Sequence, residues 1–473
     1  MPEYLTPGVY VEEVPAAIKP IAAVGTSTAG FIGLVADDVE TPLRPGHIGF
    51  KTVVGADNKP KQERVDTDFY PVADAGTTVL VDSWDSFRTH FGDVQPGNTV
   101  LANAVYGFFN NGGSRAWVIR VAGPATDAGT GTPAAPATET DGSTKTDGST
   151  DTTVGDPPAE GTDTTATDTT ATDGTGTEAG EDVEPVGVDT DPAVQAALIS
   201  ALDAFLDVDE ISIVAIPGAI SDDVQKAIVD HCENENTQDR FAVLDGRRGV
   251  TELTKTDIAG NVRDSSYAAV YFPWIAIGTD AVGKPIYQPP SGHVAGVYAR
   301  VDTSRGVHKA PANEVIRGAN GVETTVGKAA QAGLNPDGVN VIRMFGPNVT
   351  IWGARTTAAV SQPEWKYVSS RRLYIFVRES IQDGLRWAVF EPNGPDLWSR
   401  VRRNVTAFLT TVWADGALLG TTAEQAFYVR CDEDTNRVDV RNAGQLATEV
   451  GIALLNPAEF VVFRISQWAG PAA

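Results

Sequence analysis

The chain has 473 residues, 42% of them hydrophobic, and a formal net charge of −26. That length exceeds a usual single core and predicts two or more domains, while so acidic a surface argues against nucleic acid or an anionic membrane as a partner of the surface as a whole. Cys232 and Cys431, far apart in sequence, support neither a disulfide framework nor a structural zinc and predict a reducing compartment. The start MPEYLTPGVYVEEVP has prolines and glutamates where a signal peptide needs a basic and then an apolar stretch, so neither secretory export nor membrane insertion is expected.

In chain order, Val9 and Val11 alternate with Tyr10 and Glu12 between Pro7 and Pro15, the pattern of a strand. GTSTAG at Gly25 matches a nucleophile elbow only loosely, because Ala29 stands at its fifth position; it reads as a loop entering the strand FIGLV. NTVLANAVYGFFNNGGSRAWVIRV predicts a helix from Val100 to Asn110, a turn, and a strand from Arg115 to Val121. From Gly123 to Pro192 the composition shifts to Thr, Asp, Gly, Ala and Pro, with sixteen acidic residues against Lys145 alone, which places −15 of the net charge there. Such a stretch cannot build a core and is expected to be disordered.

Beyond it, AVQAALISALDAFL and SDDVQKAIVDHC predict helices, the second with Ser221 as N-cap, and ISIVAIPG and FAVLDG predict buried strands. Strands alternating with helices imply an α/β layer with a partly parallel sheet. Near the C-terminus one amphipathic helix carries Tyr374, Val377, Ile381 and Leu385 on one face, with Ser370, Arg371, Arg378 and Gln382 elsewhere. A second starts at Pro395 and stripes Leu397, Val401, Val405, Phe408 and Val412. Strands are then expected at AFYVR, at QLATEVGIALL and at the terminal EFVVFRIS.

Candidate chemistry is sparse. GTDAVGKP, from Gly278 to Pro285, fits a phosphate loop through Gly278–Lys284, but Pro285 has neither the hydroxyl for magnesium nor an N–H, and IYQPP after it is not helical, so a turn between strands is expected. His231 and Cys232 are adjacent and point apart, and the histidines never pair at metal-ligand spacing. Arg371, Arg372, Arg400, Arg402 and Arg403 lack the aromatic interleaving of a nucleic-acid module, so they are expected to meet protein, or simply solvent on helix faces. A nucleotide-binding enzyme and a Thr-rich surface adhesin remain as alternatives; the first is opposed by Pro285 and the second by the missing export signal.

PPSGHVAGVYARVDTSRGVHKAPAN, from Pro289 to Asn313, resembles the central signature of contractile tail sheath proteins of phages and extracellular contractile injection systems. YLTPGVYVEEV, AVYGFFNNGGSRAWVIRV, YAAVYFPWI, LNPDGVNVIRMFGPNVTIWGART, VSSRRLYIFVRESIQDGLRWAVFEPNGPDLWSRVRRNVTAFLTTVWADGAL and NPAEFVVFRISQ follow the same family's order. The resemblance implies a mixed α/β, multi-domain sheath subunit that is not an enzyme and needs no cofactor. Its inner domain would be built from both chain termini (1–35 and 349–473). An outer domain (36–122 and 193–348) would interrupt it and carry the acidic insertion (123–192). It implies as partners copies of the same chain in stacked hexameric rings, an inner tube protein, and baseplate and cap proteins, with assembly in the bacterial cytoplasm.

The terminal strands would be exchanged between subunits: Val9, Tyr10, Val11 and Glu12 in one arm, Phe460, Val461, Val462, Phe463 and Ile465 in the other. From the residues alone, the two ends pairing within one chain is an equal alternative. Arg400, Arg402 and Arg403, on the polar face of an inner-domain helix, are expected to face the tube.

Overall fold

A computed structural model describes residues 20–44, 50–54, 59–64, 69–123 and 187–462. The expected arm residues Val9, Tyr10, Val11 and Glu12, the distal Phe463 and Ile465, and 124–186 of the acidic stretch lie outside the described residues.

The described strands are β1 (Ala29–Val35), β2 (Phe50–Val54), β3 (Pro60–Arg64), β4 (Thr78–Val81), β5 (Ala116–Ala122), β6 (Ile213–Ala215), β7 (Phe241–Asp245), β8 (Ala268–Phe272), β9 (Ile275–Thr279), β10 (Pro285–Gln288), β11 (Glu314–Val315), β12 (Gly321–Val322), β13 (Val339–Phe345), β14 (Asn348–Ile351), β15 (Phe427–Arg430) and β16 (Glu449–Ile452). The helices are α1 (Trp84–Phe91), α2 (Thr99–Asn110), α3 (Pro192–Ala201), α4 (Asp222–Glu233), α5 (Lys255–Ala259), α6 (Ser291–Arg305), α7 (Lys328–Leu334), α8 (Val368–Gly384), α9 (Pro395–Ala414), α10 (Ala423–Ala426) and α11 (Val438–Asn442).

Nine strands form one sheet in the order β11-β14-β13-β8-β7-β6-β1-β5-β4. Its six central strands run parallel, and each end is closed by antiparallel partners, β4 on β5 and β14 on β13. Both faces are covered, as parallel sheets require. Successive residues serve opposite faces: Phe31, Val118 and Val243 join one apolar cluster with α1, α2 and α6, while Ile32, Ile119 and Ala242 join another with α3 and α4.

The long helix α6 is buried on nearly every side between Ser291 and Val301 and packs closely on α2, where Gly292 and Gly296 allow backbone approach. Its first turn is set by Asp245 at the end of β7, whose carboxylate accepts from the Ser291 amide at 2.8 Å, the Ser291 hydroxyl at 2.7 Å and the Gly218 amide at 3.0 Å. Burial raises the Asp245 carboxyl to about 6 despite these bonds.

The C-terminal part makes its own cluster from α8, α9, α10 and the two-stranded β15–β16 ladder, and Ile21 and Val307 pack into it. The α9 stripe expected from sequence (Leu397, Val401, Val405, Phe408, Val412) is buried there. For α8 the single-face expectation needs correcting: Tyr374 is exposed, whereas Ser370, Arg371 and Arg372 are buried. This helix enters between the central sheet and the C-terminal cluster, so its first half meets protein on both sides, which one amphipathic stripe cannot describe.

Two expected boundaries also differ. The segment expected to join the C-terminal region, 1–35, divides: Ile21 packs with that region, but β1 lies near the middle of the nine-stranded sheet, between β6 and β5. The boundary at 348/349 falls within β14, which hydrogen-bonds as part of the same sheet. The acidic stretch is structured from Gly187: the buried Asp189 carboxylate accepts from the Ile220 and Ser221 amides at 3.0 and 2.8 Å, and Asp191 caps α3.

Candidate assembly surface

The described chain ends on a short arm rooted in a carboxylate clamp. Glu459 accepts from Arg355 through Nε at 2.8 Å and Nη2 at 2.7 Å, from Asn335 Nδ2 at 2.6 Å and from the Tyr367 hydroxyl at 2.9 Å, with Lys366 Nζ at 3.4 Å. Burial by itself would raise this carboxyl, but the hydrogen bonds from Arg355, Asn335 and Tyr367 and the Arg355 charge outweigh it and hold it at about 2. Arg355 is fixed in turn: its amide donates to Asn340 Oδ1 at 2.7 Å, its carbonyl accepts from Asn340 Nδ2 at 2.8 Å, and its Nη1 donates to the Asn335 carbonyl at 2.9 Å. Asn340 is a β13 residue, so the clamp is continuous with the nine-stranded sheet.

Past the clamp, Phe460, Val461 and Val462 are 70, 73 and 79% exposed and belong to no strand of the described residues. Three consecutive large apolar side chains in water, with backbone groups outside any ladder, form a surface that another chain can cover. The β15–β16 ladder offers the complementary feature. It has two strands only, paired Phe427↔Ile452 to Arg430↔Glu449, so each strand has an outer edge that no other described strand occupies.

Of the arginines expected to face a tube, Arg400 pairs with Glu391 at 3.0 Å and lies over the Trp387 ring, while Arg402 and Arg403 are exposed on α9. Arg371 and Arg372, which the sequence offered as partner contacts, are corrected to internal residues. Arg371 stacks 3.6 Å from the Trp365 ring centroid and donates to Ser266 Oγ; Arg372 pairs with buried Asp302 at 2.6 Å and donates to the Thr26 carbonyl at 2.7 Å. Each packs inside because the first two turns of α8 meet aromatic and acidic partners from other segments, Trp365 just before the helix and Asp302 on α6.

The near-miss phosphate loop is the turn of an antiparallel hairpin, β9–β10, in which Asp280 Oδ1 accepts from the Val282 and Lys284 amides and Gly283 has φ +90°. A phosphate site needs a helix N-terminus after the loop, and here a strand follows, so the nucleotide reading loses its structural basis. His231 and His293 are buried, with burial the main cause lowering both to about 4 and the Arg240 charge adding at His231. Among the described residues no helix is long and apolar enough to cross a membrane. The residues that sequence reasoning missed are Arg355, Asn335 and Tyr367; their partner Glu459 lies at least 92 positions away, beyond any local signal.

Known proteins share this fold. The family profile for the phage tail sheath protein central domain matches residues 191–357, and that for the phage tail sheath C-terminal domain matches 360–467. The tail sheath protein of Burkholderia phage BcepMu is 28% identical over 163 residues, which is 32% of this chain and 33% of that protein, so the chain aligns with about a third of this curated relative's length. A chain of the anti-feeding prophage helical sheath in its contracted state is 25% identical, with a TM-score of 0.63 covering 98% of this chain and 99% of that one. The sheath complex of an extracellular contractile injection system, PVC, also in its contracted state, has the same fold at 23% identity, a TM-score of 0.63 and 99% coverage of each chain. The chain belongs to the phage tail sheath family.

Proposed function

We propose that this protein is the structural subunit of a contractile sheath, polymerising as stacked hexameric rings around an inner tube and shortening to drive that tube through a target envelope. The observation that carries the reading is the presence in one chain of an exposed apolar arm, Phe460 to Val462, and of a two-stranded ladder, β15–β16, whose outer edges no other described strand occupies. The arm of one copy adds to the ladder edge of a neighbour, Phe463 and Ile465 continue it, and the alternating segment Val9, Tyr10, Val11, Glu12 is the second donor. A strand giving four or five ladder bonds of about 1 kcal/mol each and burying three apolar side chains at roughly 1.5–3 kcal/mol each gains on the order of 10 kcal/mol before ordering costs.

Contraction is a rigid-body rearrangement of subunits that stay linked by their arms, driven by a metastable packing formed at assembly. The C-terminal cluster faces the tube through Arg402 and Arg403, with Arg400 beside them, and baseplate and cap proteins bound the ends of the sheath. Assembly occurs in the bacterial cytoplasm before the particle is deployed. The test is deletion of Phe460 to Ala473, with Glu459 retained. The variant subunit is expected to remain folded and to form no long striated cylinders in negative-stain microscopy; full-length cylinders from it would refute the reading.

A further inference from the structure

We infer that Glu459 is the positioning residue of the C-terminal arm: its carboxylate moors the arm root to the nine-stranded sheet, so that pull transmitted along the arm reaches the central sheet and does not open the chain's own β16 from its end. The inference rests on the reading of the arm as a link between subunits.

The chain path makes such a mooring consequential. The ladder ends at Ile452, with one further bridge between Leu454 and Leu418, and Glu459 follows five residues after that bridge. Tension applied beyond Val462 without an intervening fixed point would arrive at the end of β16. It would open that ladder from its end, one neutral hydrogen bond after another, through only four register pairs.

The clamp sits between the applied tension and the ladder. It consists of a bidentate arginine–carboxylate pair with two further hydrogen bonds, all of which must yield together, and charge-assisted bonds are individually stronger than ladder bonds. A second hold lies just before it, where Asn456 Oδ1 accepts from Ser370 Oγ of α8 at 3.1 Å. The donors to Glu459 come from α7's end (Asn335), from the segment after β14 (Arg355) and from the residue preceding α8 (Tyr367). Arg355 is held by Asn340 within β13. Pull on the arm therefore spreads into a sheet covered on both faces, while the direction in which Phe460 leaves the body stays fixed.

A spin label tests this without requiring assembly. Both native cysteines are buried, so Val461→Cys gives a single accessible thiol for a nitroxide. Adding Glu459→Ala is expected to shorten the label's rotational correlation time several-fold while the subunit remains folded, and adding Glu459→Gln, which keeps shape but removes charge, to give an intermediate change. In unlabelled protein, Glu459→Ala is expected to reduce the yield of long sheaths at least tenfold and Glu459→Gln to reduce it less. Unchanged label motion in both variants, or normal sheath yield from Glu459→Ala, overturns the mooring. If Glu459→Ala does not fold, the label in Glu459→Gln decides. Deletion of Phe460 to Ala473 separates the two ideas: if deletion blocks assembly and Glu459→Ala does not, only the mooring falls, whereas full-length sheaths from the deletion bring down the arm reading itself.

Discussion

Asp302→Asn probes the joint between the central sheet and the C-terminal helices. The Asp302 carboxylate on α6 accepts from Arg372 Nη1 at 2.9 Å, Arg372 Nη2 at 2.6 Å and the Thr26 hydroxyl at 2.7 Å, and the side chains of the pair are 5 and 4% exposed. Removing one partner of a buried pair strands the other charge and costs about 3–5 kcal/mol; the Asn oxygen still accepts one bond, which favours about 3 kcal/mol. With an unfolding entropy of about 2.1 cal/mol/K per residue over the roughly 370 described residues, that loss lowers the melting temperature by about 4 °C. The assay is calorimetry of the unassembled subunit at pH 7.

The double variant Asp302→Leu, Arg372→Met is the sharper arm. It removes both charges, and the Thr26 carbonyl lies in a half-exposed segment that water can reach, so it is expected to recover most of the loss, ending within about 1 kcal/mol of the parent. A double variant that melts as low as the single one would show that the packing of these side chains, and not the stranded charge, sets the cost.

Three further outcomes are expected. As pH falls from 6 towards 4.5, the unfolded chain binds protons that folded His231 and His293 refuse, while Asp245, raised to about 6, takes one up in the folded state. Two histidines against one aspartate leave the unfolded state ahead by about one proton, and His308, lowered by burial, acts in the same direction. Unfolding free energies from urea titrations should therefore decline by at least about 1.4 kcal/mol per pH unit, and by about twice that in Asp245→Asn; a flat profile contradicts the burial of these rings. Gly296→Ala should cost roughly 3 kcal/mol, since its Cβ would stand 2.4 Å from the Phe108 carbonyl oxygen, whereas Gly333→Ala in α7, with open space around it, should gain about 0.5–1 kcal/mol in the same denaturation assay. Arg402→Glu with Arg403→Glu should leave melting unchanged within about 0.5 kcal/mol, both residues being exposed, yet weaken co-sedimentation with the inner tube in a salt-dependent way.

What the sequence disclosed follows from the reach of each signal. Periodic elements bounded by local chemistry were legible: α9 with Pro395 in its first turn, α4 with Ser221 accepting from the Val224 amide, and the strands around Phe31, Val118 and Val243, where alternation and buried runs mark a two-faced sheet. α6 was not, because a helix buried on all sides has no stripe to detect; its segment stood out only through family resemblance. The internal roles of Arg371 and Arg372 were hidden for a related reason, since charge on a helix reads as solvent-facing unless the second packing partner is known. The Glu459 clamp was beyond reach altogether, as its geometry is set by tertiary approach of three separate segments.

The nine-stranded sheet also explains how this chain can carry its long acidic stretch between β5 and α3. Gly123 donates to the Val35 carbonyl and Val188 to the Gly218 carbonyl, so the chain departs from the sheet after β5 and rejoins it beside the loop after β6, at the same end of strands β6, β1 and β5. Those two points are separated by roughly two strand spacings, about 10 Å, a gap that a handful of residues can bridge, and lengthening a loop already closed by the fold costs only about 0.6 kcal/mol per doubling. Here the protein has a docking port for foreign sequence: an affinity tag, an epitope or a whole small domain whose own ends lie close together could replace 124–186 and leave the β-sheet register undisturbed.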